Sequence, residues 1–198
     1  MKAKCPMMKM DCPMLIRDAT PEDAAFLAKC LIAGMHFYDF ETEIPENKDI
    51  YLNLVECEKR TDLLYTYKDS RIAEVDGKVV GSLLSYPGDK YKELRRRSFE
   101  IFWPNYMRID EESEQETGPG EYYLDTIAVL PEYRRRGIGS ALLKDGIKRG
   151  IAAGFKTITL VVDSDMPHLI KIYESVGFQK VEHRWIFGID FLRMVYVS

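Results

Sequence analysis

The sequence predicts an α/β fold with a mixed central β-sheet flanked by helices. Three observations carry that reading. Asp76-Gly77, a two-residue turn signal, sits between two runs rich in β-branched and aliphatic residues and marks an antiparallel hairpin. From Tyr122 to Val162 the pattern switches from strand to helix and back to strand. A short helix and two further strands then close the chain, and this order of elements fits a layered mixed sheet.

The elements follow in order. Met14 to Arg17 reads as a short strand. Thr20-Pro21-Glu22-Asp23 opens a helix, with Thr20 as cap and Pro21 where a missing N–H does no harm. Ala24, Leu27, Ala28 and Leu31 continue it at helical spacing. Ile50 to Cys57 is a second helix, and Arg71 to Tyr86 is the hairpin. Residues 89–120 read as an insertion. Its first part is an amphipathic helix with Tyr91, Leu94, Phe99 and Phe102, and Arg95, Arg96 and Arg97 form a solvated face. Its second part is an acidic loop from Asp110 to Glu116 that ends in Gly118-Pro119-Gly120. Tyr122 to Leu130 is a strand and Gly139 to Ala153 a helix. Thr157 to Val162 is a mostly apolar strand, expected to be buried on both faces. Asp165 is placed to cap a helix from Pro167 to Val176, and Gly177 to end it. Gln179 to Phe187 and Phe191 to Val197 are the last strands.

The 198 residues are 46% hydrophobic and 30% charged, enough for one core. We expect a single domain over 14–198 preceded by a flexible tail, residues 1–13. The net charge of −4 gives no pull toward nucleic acid or an anionic membrane, and no apolar run approaches a bilayer span. Cys5, Cys12, Cys30 and Cys57 form no close metal-binding or redox pair, so no metal is expected. The expected setting is cytoplasmic, with reduced thiols. No nucleophile elbow and no Cys–His–Asn set is present, so no covalent enzyme intermediate is expected.

The most informative segment is Arg134-Arg135-Arg136-Gly137-Ile138-Gly139-Ser140, where a strand ends and a helix begins. The first N–H groups of a helix lack intrahelical partners and carry partial positive charge. Glycines let a phosphate touch that backbone, and arginines add fork-shaped donors. A Walker loop is excluded because Ser140 stands where lysine is required. A dinucleotide fingerprint is excluded because position 142 is Leu. On these residues alone, two readings stand: a pyrophosphate cradle, or a tight turn with solvated arginines.

The loop resembles the signature (Gln/Arg)-x-x-Gly-x-(Gly/Ala) of the GNAT superfamily of N-acetyltransferases. Leu124 to Pro131 resembles that family's fourth strand, and Ile172-Tyr173-Glu174-Ser175-Val176-Gly177-Phe178 its later Tyr-x-x-x-Gly-Phe segment. Ile16 to Asp23 resembles its opening strand and helix. The resemblance covers nearly all the chain after the tail. One departure is Met166, with Asp165 beside it, where relatives often carry Asn.

The resemblance implies a sheet whose strands 4 and 5 splay to admit acetyl-CoA, the cosubstrate. Its pyrophosphate would meet N–H groups from Arg135 to Ser140, with Arg134 and Arg136 adjacent. Its pantetheine arm would pair with main chain at Ile127, Ala128 and Val129, and an N–H near Val129 would meet the oxyanion. Tyr173 is implied as the acid for the departing thiolate. Strand alternation places Tyr123, Asp125 and Ile127 on one face, and Asp125 and Glu121 are the candidate bases. The acceptor, a small-molecule or peptide amine, is expected to meet Phe37, Tyr38, Tyr123 and Trp103. The implied function is acetyl transfer to a primary amine by direct attack in a ternary complex, in a monomer or homodimer. The alternative is a non-catalytic acyl-CoA-binding or sensing module.

Overall fold

The structure is a computed structural model that describes residues 14–34, 48–103 and 115–198. Cys5, Cys12, Phe37, Tyr38 and the acidic run up to Glu114 lie outside the described residues. Seven strands form one sheet in the order β1-β2-β3-β4-β5-β7-β6. They are β1 (Met14–Asp18), β2 (Ser70–Val75), β3 (Lys78–Pro87), β4 (Glu121–Val129), β5 (Thr157–Asp163), β6 (Gln179–Ile186) and β7 (Ile189–Val197). The neighbours β4 and β5 are parallel, and every other pair is antiparallel. The β2–β3 turn uses Asp76 and Gly77 at φ 54° and 73°, left-handed conformations that Asp tolerates and Gly adopts freely.

Helices cover both faces. The first face carries α1 (Ala24–Gly34), α2 (Asp49–Glu58) and α3 (Tyr91–Phe102), packed with Leu84, Tyr86 and Tyr123. The second carries α4 (Ile138–Ala152) and α5 (Pro167–Ser175), packed with Leu83, Leu124, Ile158, Leu160 and Met194. Thr157–Asp163 sits between these cores and is buried along most of its length, as its mostly apolar run predicts.

Two local expectations are corrected. No side chain caps α5: Met166 is the capping residue and its N–H binds the Asp163 carbonyl, which leaves Asp165 outside the helix. Arg95 is not on a solvated face. It is 3% exposed, and its guanidinium lies 5.6, 5.3 and 5.0 Å from the ring centres of Tyr91, Phe99 and Phe187. A guanidinium is weakly hydrated and stacks on aromatic faces, so it tolerates a site that an ammonium would resist. His183, isolated in sequence, meets Asp190 across the β6–β7 hairpin at 3.0 Å. The predicted end of α5 agrees with the structure: Gly177 takes φ 106°, and the Phe178 N–H returns to the Tyr173 carbonyl.

Candidate functional site

The sheet opens at a bulge. Between β3 and β4, Leu83 pairs with Ile127 and Ser85 with Leu124, so two steps on β3 face three on β4. The extra residue falls at Asp125-Thr126. A bulge re-aims side chains and bends its strand. Two consequences follow. β4 and β5 pair only from Glu121↔Thr157 to Tyr123↔Thr159, and beyond that point they part. Ile127 also crosses to the second face, packed against the α4 core, whereas Tyr123 stays in the first. The expected shared face for Tyr123, Asp125 and Ile127 is therefore wrong at Ile127, because simple alternation cannot foresee an inserted residue.

At the mouth of the opening, β4 leads through a single 3-10 turn, Pro131–Tyr133, into α4. Arg135 has φ 60° and Gly137, the residue before α4, has φ 80°. The turn thus carries two left-handed residues, the backbone pattern from which anion nests are built. It lies against the free N–H groups that open α4. A Cβ built on Gly137 meets nothing within 4 Å, and one on Gly139 meets only Val129, at 3.9 Å. The space before the helix is open and lined by backbone. Arg134, Arg135 and Arg136 are exposed around it, whereas Ile138 buries its side chain and offers only its N–H. Arg134 Nε donates to the Val129 carbonyl at 3.1 Å, so that oxygen is already engaged.

Tyr173 lies on α5 in the second core, 8% exposed, edge-on to Phe178. Burial pushes its phenol up to about 12. Glu121 is held on both oxygens. Arg193 pairs with Oε1, and Thr117 (3.0 Å) and Thr159 (3.2 Å) donate to Oε2. Its lone pairs are committed to tying β4, β5 and β7 together.

Asp125 differs. The Tyr86 phenol donates to Oδ2, and the Thr126 hydroxyl to Oδ1 at 2.8 Å. Burial pushes its carboxyl up to about 7, and the Glu116 charge adds to this. The Tyr86 and Thr126 hydrogen bonds and the Arg95 charge oppose it. Tyr123 points its phenol at Glu116 Oε2 (2.7 Å), and Tyr91 donates to Oε1 (2.9 Å). Trp103 is half-buried against the same core.

Sequence reasoning missed Glu116, Tyr86 and Glu58. Glu116 reads as one acid among many in a loop. Arg184 of β6 brings it in by donating to the Gln115 and Glu116 carbonyls at 2.9 and 3.1 Å. Glu58, at the end of α2, is 2% exposed and its Oε2 has no partner among the described residues. Burial, then the charges of Asp125 and Asp69, push it up to about 8. A raised carboxyl pKa means that folding resists its ionisation. Its cost is absent below the unfolded value near ~4.3 and grows until the pH passes the folded one. Glu58→Gln is therefore expected to gain stability relative to the parent between pH 5 and pH 9. The gain should reach a few kcal/mol, at about 1.4 kcal/mol for each pH unit crossed. Thermal melts at both pH values check this, and an unchanged gap between the two proteins would remove Glu58 as the cause.

The chain is a mixed α/β protein whose sheet opens between β4 and β5, with a glycine- and arginine-bearing turn at the mouth and a buried carboxyl of raised pKa at the bulge. The sequence profile of the acetyltransferase (GNAT) family matches residues 35–178, and the chain belongs to that family. It is similar to a solved acetyltransferase with 31% identity and a TM-score of 0.74, covering 92% of this chain and 98% of that one. It is also similar to an N-acetyltransferase from Staphylococcus aureus Mu50, at 25% identity and a TM-score of 0.72, covering 91% and 99%. Among curated relatives, the N-alpha-acetyltransferase RimI of Mycobacterium tuberculosis is 42% identical over 65 residues, 33% of this chain and 39% of that protein. The matches span between 17% and 39% of the first curated relatives' lengths.

Proposed function

We propose that this protein moves an acetyl group from acetyl-CoA to a primary amine by direct attack in a ternary complex. The single observation that carries this is the bulge. It lies where β4 and β5 part, and it carries Asp125 on the strand that leads into the glycine-bearing turn.

The chemistry follows from the residues. The nest and the free N–H groups of α4 hold the pyrophosphate, with Arg134, Arg135 and Arg136 around it. Main chain from Ile127 to Val129 receives the pantetheine arm. Asp125 takes the proton of the incoming ammonium, directly or through water, as a carboxyl raised toward neutrality is suited to do. The amine nitrogen then attacks the thioester carbon, an oxyanion forms, the nitrogen releases its second proton to solvent, and the carbonyl re-forms as the C–S bond breaks. Tyr173 faces the leaving sulfur. A phenol at about 12 holds its proton more tightly than a thiol of pKa about 8.5, so full transfer runs uphill. Tyr173 therefore acts as a hydrogen-bond donor to the thiolate, and solvent supplies the final proton.

Calorimetric titration with acetyl-CoA, desulfo-CoA and ATP, followed by thiol release with an amine panel, tests the reading. Micromolar binding of both CoA compounds, weak ATP binding and amine-dependent thiol release are expected. Tyr173→Phe should lower kcat about 10- to 100-fold at unchanged acetyl-CoA affinity, the worth of one hydrogen bond to a charged group. CoA binding without turnover on any amine would favour a sensing module instead.

A further inference from the structure

Asp125 and Thr126 are neighbours on β4, yet the Thr126 hydroxyl donates to Asp125 Oδ1 at 2.8 Å. In a regular strand successive side chains point to opposite faces, and such a bond is out of reach. The bulge lifts that restriction by re-aiming the two side chains. Tyr86 of β3 donates to Oδ2, so both carboxylate oxygens are held. A second contact fixes the threonine. Gly34, the last residue of α1, lies so close that a Cβ built on it would stand 2.6 Å from Thr126 Cγ2, 3.3 Å from Oγ1 and 3.5 Å from Cβ. Only a residue without a Cβ fits there while Thr126 keeps its rotamer. Threonine is β-branched and stiff at χ1. Pressed by a Cβ at Gly34, it must jump to another rotamer and give up Asp125, or push the end of α1 away.

We infer that Thr126 is a positioning residue for the reaction: seated by the close approach of Gly34, its hydroxyl fixes the carboxylate that takes the proton of the acceptor amine. This rests on the acetyl-transfer reading above, with Asp125 as its base, and adds the residues that set that base. A carboxylate oxygen has two acceptor sites, so each keeps one for the incoming N–H after accepting from Tyr86 or Thr126. Held at both oxygens, the carboxyl plane cannot rotate away, and proton transfer depends on that fixed geometry. The two hydroxyl bonds also favour the ionised form against burial. Thr126 thus acts through Asp125, and Gly34 acts through Thr126.

The test measures kcat/KM for the amine against pH, with calorimetric acetyl-CoA affinity, in Thr126→Val, Thr126→Ser, Gly34→Ala and the double variant Gly34→Ala/Thr126→Ser. Valine keeps the shape and loses the donor. Its acid limb should rise by about 1–2 pH units, the worth of a hydrogen bond to a charged group. At pH 7 its kcat/KM should fall about 5- to 50-fold at unchanged acetyl-CoA affinity. Serine keeps the donor and should stay close to the parent. Alanine is a better helix former than glycine, so Gly34→Ala should leave α1 intact while it loses activity and raises the limb as valine does. Serine lacks Cγ2 and so removes the 2.6 Å contact, and the double variant should recover toward Thr126→Ser. The charged and titratable groups whose fields reach Asp125 are Glu116, Glu58, Arg95 and the phenols of Tyr65, Tyr86 and Tyr123, and every variant keeps them. A folded Thr126→Val with the parental limb, a Gly34→Ala without effect, or a Gly34→Ala loss that serine does not relieve would each overturn the inference. If Thr126→Val does not fold, Gly34→Ala and its serine rescue carry the test. An acid limb that persists in Asp125→Asn would instead overturn Asp125 as the base, and with it the reading on which this inference rests.

Discussion

Replacing Asp125 with asparagine is expected to lower kcat/KM for the amine by roughly 10²- to 10⁴-fold, the usual worth of a positioned base. Asparagine matches the shape, its one oxygen accepts from Tyr86 or Thr126 and its amide N–H2 donates to the other hydroxyl, which turns to accept, so the fold should persist. The pH profile discriminates better than the rate. Asp125 works only when ionised, and its carboxyl is held far above the ordinary carboxylate range by burial and by Glu116. Activity of the parent should therefore fall as the pH drops through neutrality, rather than near ~4 where a solvated carboxylate titrates. The asparagine variant should be nearly flat over that range. An acid limb unchanged between the two proteins would exclude Asp125 as the base, since the groups facing it, Glu116, Glu58 and Arg95, remain in the variant. Glu116→Gln supplies a further check, because removing that negative charge should move the limb to lower pH.

Gly137→Val is expected to weaken acetyl-CoA binding by about 100-fold or more. Two costs combine. Gly137 sits at φ 80°, where a β-branched residue is strained by about 1–3 kcal/mol. The added side chain would also fill the open space at the nest, where a Cβ now meets nothing within 4 Å. The first cost lowers the melting temperature and the second lowers affinity, and the two can be read separately. Gly137→Ala divides them further. It carries strain of the same kind with far less bulk, so it should lose less affinity. A folded valine variant with parental acetyl-CoA affinity would move the donor's pyrophosphate away from this turn.

Local chemistry made most of the fold legible. The hairpin at Asp76-Gly77, the caps at Thr20 and Gly177 and the mostly apolar run of β5 each depend on residues a few positions apart, so a linear reading finds them. The Arg134-to-Ser140 loop was legible for the same reason: a helix N-terminus, its glycines and its arginines are contiguous. The base was not. Glu121 and Asp125 lie four positions apart on one strand and look alike on paper. Only the folded chain shows that Arg193, Thr117 and Thr159, from elsewhere in the chain, occupy Glu121, while Asp125 meets two hydroxyls and a neighbouring charge.

The same division explains the remaining misreadings. Arg95 belongs by sequence to a basic triplet on a helix, and its burial depends on Phe187 from the β6–β7 turn arriving over it. The bulge at Asp125-Thr126 has no proline or glycine to announce it, because it is fixed by the pairing register with β3. The sequence by itself determined the order of elements and the glycine-bearing turn that opens α4, since these rest on periodicity and on neighbours along the chain. Tertiary structure alone decided where the sheet opens, how the surroundings of Glu121 and Asp125 differ, and that the Glu116 charge acts on Asp125. Burial, register and the field of distant charges are properties of residues brought together from far apart.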